Sequence, residues 1–139
     1  MNPRLKVLVV EDDAMTREIV ADKLREQFDA VTACNLRECR QLFESTKPDV
    51  ILLDLNLPES RSVETLAQVK SFSGDCTIVV FSGMSDPAII RDCISRNADG
   101  YVVKNFGVQL GSSALFSEIY SAFRGKQQRR EIRSQFEQA

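Results

Sequence analysis

Five side chains in this sequence could do chemistry together. Glu11 and Asp12 follow the apolar run from Leu5 to Val10. Asp54 ends the run from Val50 to Leu55, Ser82 follows Thr77 to Phe81, and Lys104 follows Gly100 to Val103. Carboxylates brought within a few ångströms repel one another, so at neutral pH they need a proton or a cation to share a site. A hard, oxygen-seeking ion such as Mg2+, or Mn2+, suits that need, because it accepts one or two carboxylates and keeps waters that a phosphoryl oxygen can replace. Asp12 and Asp54 are the expected direct ligands, with a backbone carbonyl near Asn56 as a third and Glu11 acting through water. With the repulsion reduced, Asp54 can serve as a nucleophile toward phosphorus. Lys104 can hold a phosphoryl oxygen as a mobile point charge. A Ser82 hydroxyl that donates to another oxygen only when phosphate is present would make a switch, since that contact differs between two states.

The elements that must position these groups are legible from the hydrophobic pattern. The short apolar runs read as buried strands, joined by a further strand at Ala30 to Ala33. Between them lie amphipathic stretches at helical spacing. The first runs from Ala14 to Phe28 with Met15, Ile19, Val20, Leu24 and Phe28 as its apolar face. The second carries Leu36, Cys39, Leu42 and Phe43 and stops before Lys47-Pro48. The third carries Val63, Leu66, Ala67 and Lys70. The fourth spans Pro87 through Arg96, with Ile89, Ile90, Cys93 and Ile94 on one side, Pro87 in its first turn and Asp86 or Ser85 as cap. The last carries Leu115, Ile119, Ala122 and Phe123. Five strands alternating with five helices predict a doubly wound α/β fold, a parallel sheet covered on both faces.

In such a sheet the ligand site lies beyond the carboxyl ends of the strands, which is where Glu11, Asp12, Asp54, Ser82 and Lys104 all fall. Each also has an ordinary explanation taken singly. The Glu11-Asp12-Asp13 triplet could cap a helix. Asp54 could be a loop residue before Pro58, Ser82-Gly83 a plain turn, and Lys104 a solvated charge. Four strands each ending in a residue type that phosphoryl chemistry requires favour the joint reading.

The sequence resembles the receiver domain of bacterial two-component response regulators. The resemblance spans about residues 5 to 125 and rests on Val7-Leu8-Val9-Val10-Glu11-Asp12-Asp13, Asp54-Leu55-Asn56-Leu57-Pro58, Phe81-Ser82-Gly83 and Ala98-Asp99-Gly100-Tyr101-Val102-Val103-Lys104. It implies a flavodoxin-like sheet of order 2-1-3-4-5. It also implies that Asp54 is the phosphoacceptor for a phosphohistidine of a histidine kinase or histidine phosphotransfer protein, and that Glu11 and Asp12 are the acidic pair with Asp13 outside it. By the same resemblance Ser82, Tyr101 and Lys104 are switch residues, and Asn56 and Met84 tune the phosphoryl lifetime. The chain would then be a self-phosphorylating and autodephosphorylating switch rather than a turnover enzyme, acting on an output domain or partner through the surface of the fourth helix, fifth strand and last helix, which could also form a homodimer. The Ala98 to Lys104 motif looks most like receivers joined to helix-turn-helix DNA-binding domains.

The chain departs from that pattern in three places. Ser62 stands where the family usually has glycine, which predicts an altered loop before the third helix. Asn105 stands in place of the common proline after the lysine, so the usual cis peptide is not expected. The segment from Phe106 to Ser113 is a few residues long for the family, and Phe116 and Tyr120 either cover it or face a partner.

Residues 1–125 are read as the receiver and 126–139, basic at Lys126, Arg129, Arg130 and Arg133, as a helical extension, a tail or the start of a linker to an output domain. Two other classes compete. A Mg2+-dependent α/β phosphatase would want a second acid two residues after the nucleophile, where Asn56 stands. A phosphorylation-independent pseudo-receiver would lack the acids, the acceptor or the lysine, and all are present. A net charge of −2 argues against direct nucleic-acid binding. With no histidine and no CxxC pair, Cys34, Cys39, Cys76 and Cys93 read as reduced thiols. No apolar run approaches a membrane span, and a cytoplasmic location is the expectation.

Overall fold

The computed structural model describes residues 4–83, 85–104 and 113–138. Five strands and five helices alternate: β1 (Lys6–Val10), α1 (Ala14–Leu24), β2 (Asp29–Ala33), α2 (Leu36–Thr46), β3 (Val50–Leu53), α3 (Val63–Ser73), β4 (Thr77–Ser82), α4 (Pro87–Ser95), β5 (Gly100–Val103) and α5 (Ser113–Gln138). All strand pairings are parallel, in the order β2-β1-β3-β4-β5. This is the doubly wound architecture with the expected order.

Side chains alternate across the sheet and so feed two separate cores. Leu8, Val10, Ile51, Leu53, Ile78 and Val80 pack against Cys39 of α2, Leu66 and Val69 of α3 and Cys93 of α4. Val7, Val9, Val50, Leu52, Val79 and Phe81 pack against Val20 and Leu24 of α1 and Leu115, Ile119 and Ala122 of α5. Burial on both faces explains why β3 and β4 read as unbroken apolar runs rather than alternating ones.

The apolar face of α1 differs from the expected one. Met15 is 74% exposed and Ile19 45%, while Thr16, Val20, Ala21 and Leu24 are buried. Asp13 sets the start of the helix by accepting from the Thr16 amide at 2.9 Å and its hydroxyl at 2.7 Å. The face through 16, 20 and 24 turns inward, and 15 and 19 fall outside it. The helix also ends at Leu24 rather than Phe28. Phe28 reaches the core after a turn and packs on Phe116 and Tyr120, ring centroids 5.6 and 5.0 Å away. Those two aromatics therefore brace the core through Phe28, a partner not anticipated for them.

On α4 only Cys93 is fully buried, and Ile94 is 48% exposed. Asp86, not Ser85, caps the helix by accepting from the Ala88 amide, with Pro87 in the first turn. On α3 the buried face is Thr65, Leu66, Val69 and Ser73, with Ala67 exposed. Ser62 precedes α3 at φ 58° and ψ −139°, and its side chain caps nothing. That backbone region suits glycine and strains other residues, so the replacement of the family's glycine by Ser62 has a structural counterpart. The last helix runs without interruption through Gly125 to Gln138. All four cysteines are free thiols, and burial pushes Cys39 and Cys76 up to about 12. Among the described residues no helix is long and apolar enough to cross a membrane.

Candidate phosphoacceptor site

The register of the central strands decides where the site falls. Val10 pairs with Leu53, and Ser82 with Val103. The ladder continues one step past those pairs: the Glu11 amide donates to Ala33 O at 3.0 Å, Asp54 to Val10 O at 3.0 Å, and Lys104 to Ser82 O at 2.7 Å. Glu11 and Asp54 thus leave their strands at one level of the sheet, with Ser82 one residue and Lys104 two residues further along theirs. The backbone there is still held by hydrogen bonds, so side chains rather than mobile loops meet at the carboxyl edge.

Glu11, Asp12 and Asp54 bring carboxylate oxygens within 4.8 Å of one another. Glu11 and Asp54 are buried, at 3% and 5% exposure, and Asp12 is exposed. Lys104 is the cation among them, its ammonium 3.3 Å from Asp54 Oδ2 and hydrogen-bonded to Glu11 Oε1. The same ammonium lies over the Phe81 ring, 5.4 Å from its centroid. Asp13 points away from the group to cap α1, and the Thr16 hydroxyl and amide hold its carboxyl below the usual range.

The charge imbalance shows in the acids themselves. Burial, then the hydrogen-bonded Asp54 carboxylate, pushes Glu11 up, and Lys104 only partly opposes this. Asp12 is also raised, by its partial burial and then by Glu11. Three carboxylates share one ammonium, and a hard cation with oxygen preference fits the remaining deficit.

The loop after β3 is fastened from several sides. The Asn56 amide donates to Asp54 Oδ1 at 3.1 Å. The buried Thr65 hydroxyl donates to Leu55 O at 2.6 Å and bonds Ser60 Oγ at 3.0 Å. Leu57 and Ser60 exchange backbone hydrogen bonds. Asn56 itself is exposed and lines a shallow pocket with Asp12, Leu57, Pro58 and Arg61.

Ser82 is fully buried at the end of β4. Tyr101, half-buried on β5, packs against the α2–α4 core. Burial raises the Tyr101 phenol, and a hydrogen bond with the Ser82 side chain pulls it back. Met84, Asn105 and the segment from Phe106 lie outside the described residues.

Two contributors were not anticipated. Arg17 reaches back from α1 to donate to Glu11 O at 3.0 Å and Asp12 O at 3.3 Å, fixing the backbone that carries the acidic pair. Glu59 accepts from the Leu36 amide and ties the loop after β3 to the start of α2. Both act on backbone groups, which leave no side-chain pattern in a sequence.

The model of the response regulator receiver domain family matches residues 7–115. The chain belongs to this family. Receiver sequences from varied proteins resemble it. The chemotaxis protein CheY of Listeria monocytogenes is 29% identical over 104 residues, covering 73% of this chain and 87% of that one. A cyclic di-GMP phosphodiesterase of Thermotoga maritima is 30% identical over 107 residues, covering 76% of this chain but 28% of the relative. The activity in that relative's name therefore belongs to a protein of which this chain matches under a third. The response regulator domain of Thermotoga maritima CheB shares the fold with a TM-score of 0.73 at 23% identity, covering 87% of this chain and 97% of that one.

Proposed function

We propose that this receiver takes a phosphoryl group onto Asp54 from the phosphohistidine of a histidine kinase or phosphotransfer protein, with Mg2+ or Mn2+ held by Asp12 and Asp54, by a backbone carbonyl near Asn56, and by Glu11 through water. The observation that carries the reading is the buried Asp54 carboxylate set between the Glu11–Asp12 pair and the Lys104 ammonium. When bound, the cation neutralises the crowded carboxylates and polarises the phosphoryl group.

The chain's own groups do the rest. An Asp54 carboxylate oxygen attacks phosphorus, the P–N bond breaks, and its electron pair returns to the imidazole, leaving an acyl phosphate on Asp54. The Asn56 amide, already on Oδ1, orients the carboxylate. Lys104 is close enough to move from Glu11 and Asp54 to a phosphoryl oxygen, stabilising charge that gathers in transfer. Later attack by water on phosphorus restores the carboxylate, which makes the chain a switch with a lifetime, tuned by Asn56 and Met84.

The switch is read through Ser82 and Tyr101. A Ser82 hydroxyl recruited by the phosphoryl group gives up its hydrogen bond with Tyr101, so phosphorylation changes what holds the aromatic ring on β5. Packing on the α4, β5 and α5 surface shifts accordingly, toward an output domain beyond residue 125, a partner, or a second copy of the chain. Incubation with phosphoramidate or acetyl phosphate and Mg2+ tests the reading. One phosphoryl group per chain is expected, lost on chelation of the metal; a chain that stays unmodified contradicts it.

A further inference from the structure

At the amino ends of β4 and β5, the opposite end of the sheet from Asp54, α5 carries an unusual face. Its inward stripe begins with Leu115, Ile119 and Ala122, buried in the core. Beyond the core the same face continues with Lys126, Arg129, Arg130 and Arg133, spaced three, four and seven residues from the first. At this spacing like charges repel one another along the helix. Arg129, Arg130 and Arg133 are themselves exposed, as are Ile132 and Phe136, but only the cations line a pocket against the body of the protein.

The four cations form one wall of a pocket of about 610 Å³, with Lys70 of α3 on another side and the turns at Gly74-Asp75 and Asn97-Asp99 as the floor. Five cationic side chains meet two carboxylates there. Asp99 is spent: its side chain, 5% exposed, accepts from Lys126, Arg129 and the Ile78 amide. Lys70 and Arg130 donate to the carbonyls of Asn97 and Asp75. Among the described residues none of Lys70, Arg130 and Arg133 has a carboxylate within ion-pair distance. Burial, then the neighbouring Lys126 charge, holds the Lys70 amine below its usual value, against the opposing pull of Asp99 and Asp75.

We propose that this pocket binds a small molecule carrying a di- or triphosphate. Its volume lies in the small-ligand range, arginine forks match phosphate oxygens in pairs, and α5, α3 and the turns before β4 and β5 converge on one concave pocket rather than the long open track a nucleic acid would need. Bound phosphate would bridge α5 to α3 and to the turns before β4 and β5.

The test is calorimetric titration of the full chain with inorganic tripolyphosphate and, separately, with a nucleoside triphosphate, both without divalent metal. Saturable binding of at least one is expected, and the two arms tell whether the phosphates alone suffice. Arg133→Glu and Lys70→Gln should each weaken it at least tenfold while leaving metal-dependent phosphorylation intact, which also reports folding. Asp54→Asn should bind as the parent does. No saturable binding at millimolar ligand, equal binding by the Arg133 and Lys70 variants, loss in Asp54→Asn, or displacement by a single-stranded oligonucleotide of equal charge at lower concentration would each overturn the proposal.

Discussion

The Lys104 ammonium stands 3.3 Å from Asp54 Oδ2 while hydrogen-bonded to Glu11, so one cation spans two buried carboxylates. This double contact separates two roles that a lysine at a strand end could play. A lysine that merely balanced charge would compete with a metal ion; one that also serves transfer must matter to the rate. Lys104→Ala is expected to tighten Mg2+ binding severalfold, because three carboxylates then face the ion without a competing ammonium, and to slow phosphorylation by acetyl phosphate at least tenfold. Titration and labelling rates on the same protein check both; weaker Mg2+ binding with an unchanged rate would contradict the assignment.

Metal binding should depend on pH through Glu11 and Asp12. Burial and the neighbouring carboxylates hold both acids above their ordinary values of 4.5 and 3.8. A raised acid pKa favours the protonated form in the metal-free fold, whereas a divalent cation favours the ionised form, so binding releases protons. Affinity should be flat well above the raised values and fall as pH drops through them, beginning at a higher pH than ordinary carboxylates would dictate. By the same sign, these two acids cost the metal-free fold stability as pH rises through their raised values. Mg2+ titrations in two buffers of different ionisation enthalpy measure the proton release; its absence across the acidic range would count against this electrostatic picture.

The proposed readout pairs Ser82 with Tyr101. Ser82→Ala should still be phosphorylated, but resonances of β5 and α4 should move much less on beryllofluoride addition than in the parent. In the unmodified protein the Tyr101 phenol should titrate higher, since the hydrogen bond that lowers it is gone. A variant whose activated spectrum matches the parent's would remove Ser82 from the switch.

Strain at Ser62 should be relieved by glycine. The residue sits at φ 58° and ψ −139° and its side chain makes no capping bond to lose. The penalty for a non-glycine residue there is about 1 to 3 kcal/mol, partly offset by the greater freedom glycine gives the unfolded chain. Ser62→Gly should therefore stabilise the fold by about 1 kcal/mol, seen as a higher urea midpoint; a lowered midpoint would contradict the strain.

What could be read from the sequence follows from how each feature is encoded. Asp54, Glu11, Ser82 and Lys104 were legible because each ends an apolar run, and parallel strands in register carry their ends to one edge. The order of the sheet came from family resemblance, since alternation alone leaves several windings open. The inward face of α1 departs from the apolar count at Met15 and Ile19 because Val20 and Leu24 carry the packing on the sheet and bring Thr16 and Ala21, which are not large apolar residues, inward with them. The contact of Phe116 and Tyr120 with Phe28 leaves no local pattern, because Phe28 is distant in sequence and lies past the end of its helix; the segment they were expected to cover lies outside the described residues. Arg17 and Glu59 leave no pattern in the sequence because their partners are backbone groups. The cationic stripe of α5 was visible as charge, but its place along the pocket depends on α5 continuing unbroken through Gly125.

The central claim is that Asp54 itself carries the phosphoryl group. Borohydride reduces an acyl phosphate to an alcohol, so protein phosphorylated with phosphoramidate and Mg2+ and then reduced should contain homoserine in place of aspartate. The account predicts that peptide sequencing by mass spectrometry finds this conversion at residue 54 alone, and finds none in Asp54→Asn. Conversion at Asp12 or Asp13 instead, or phosphorylation undiminished in Asp54→Asn, would contradict it.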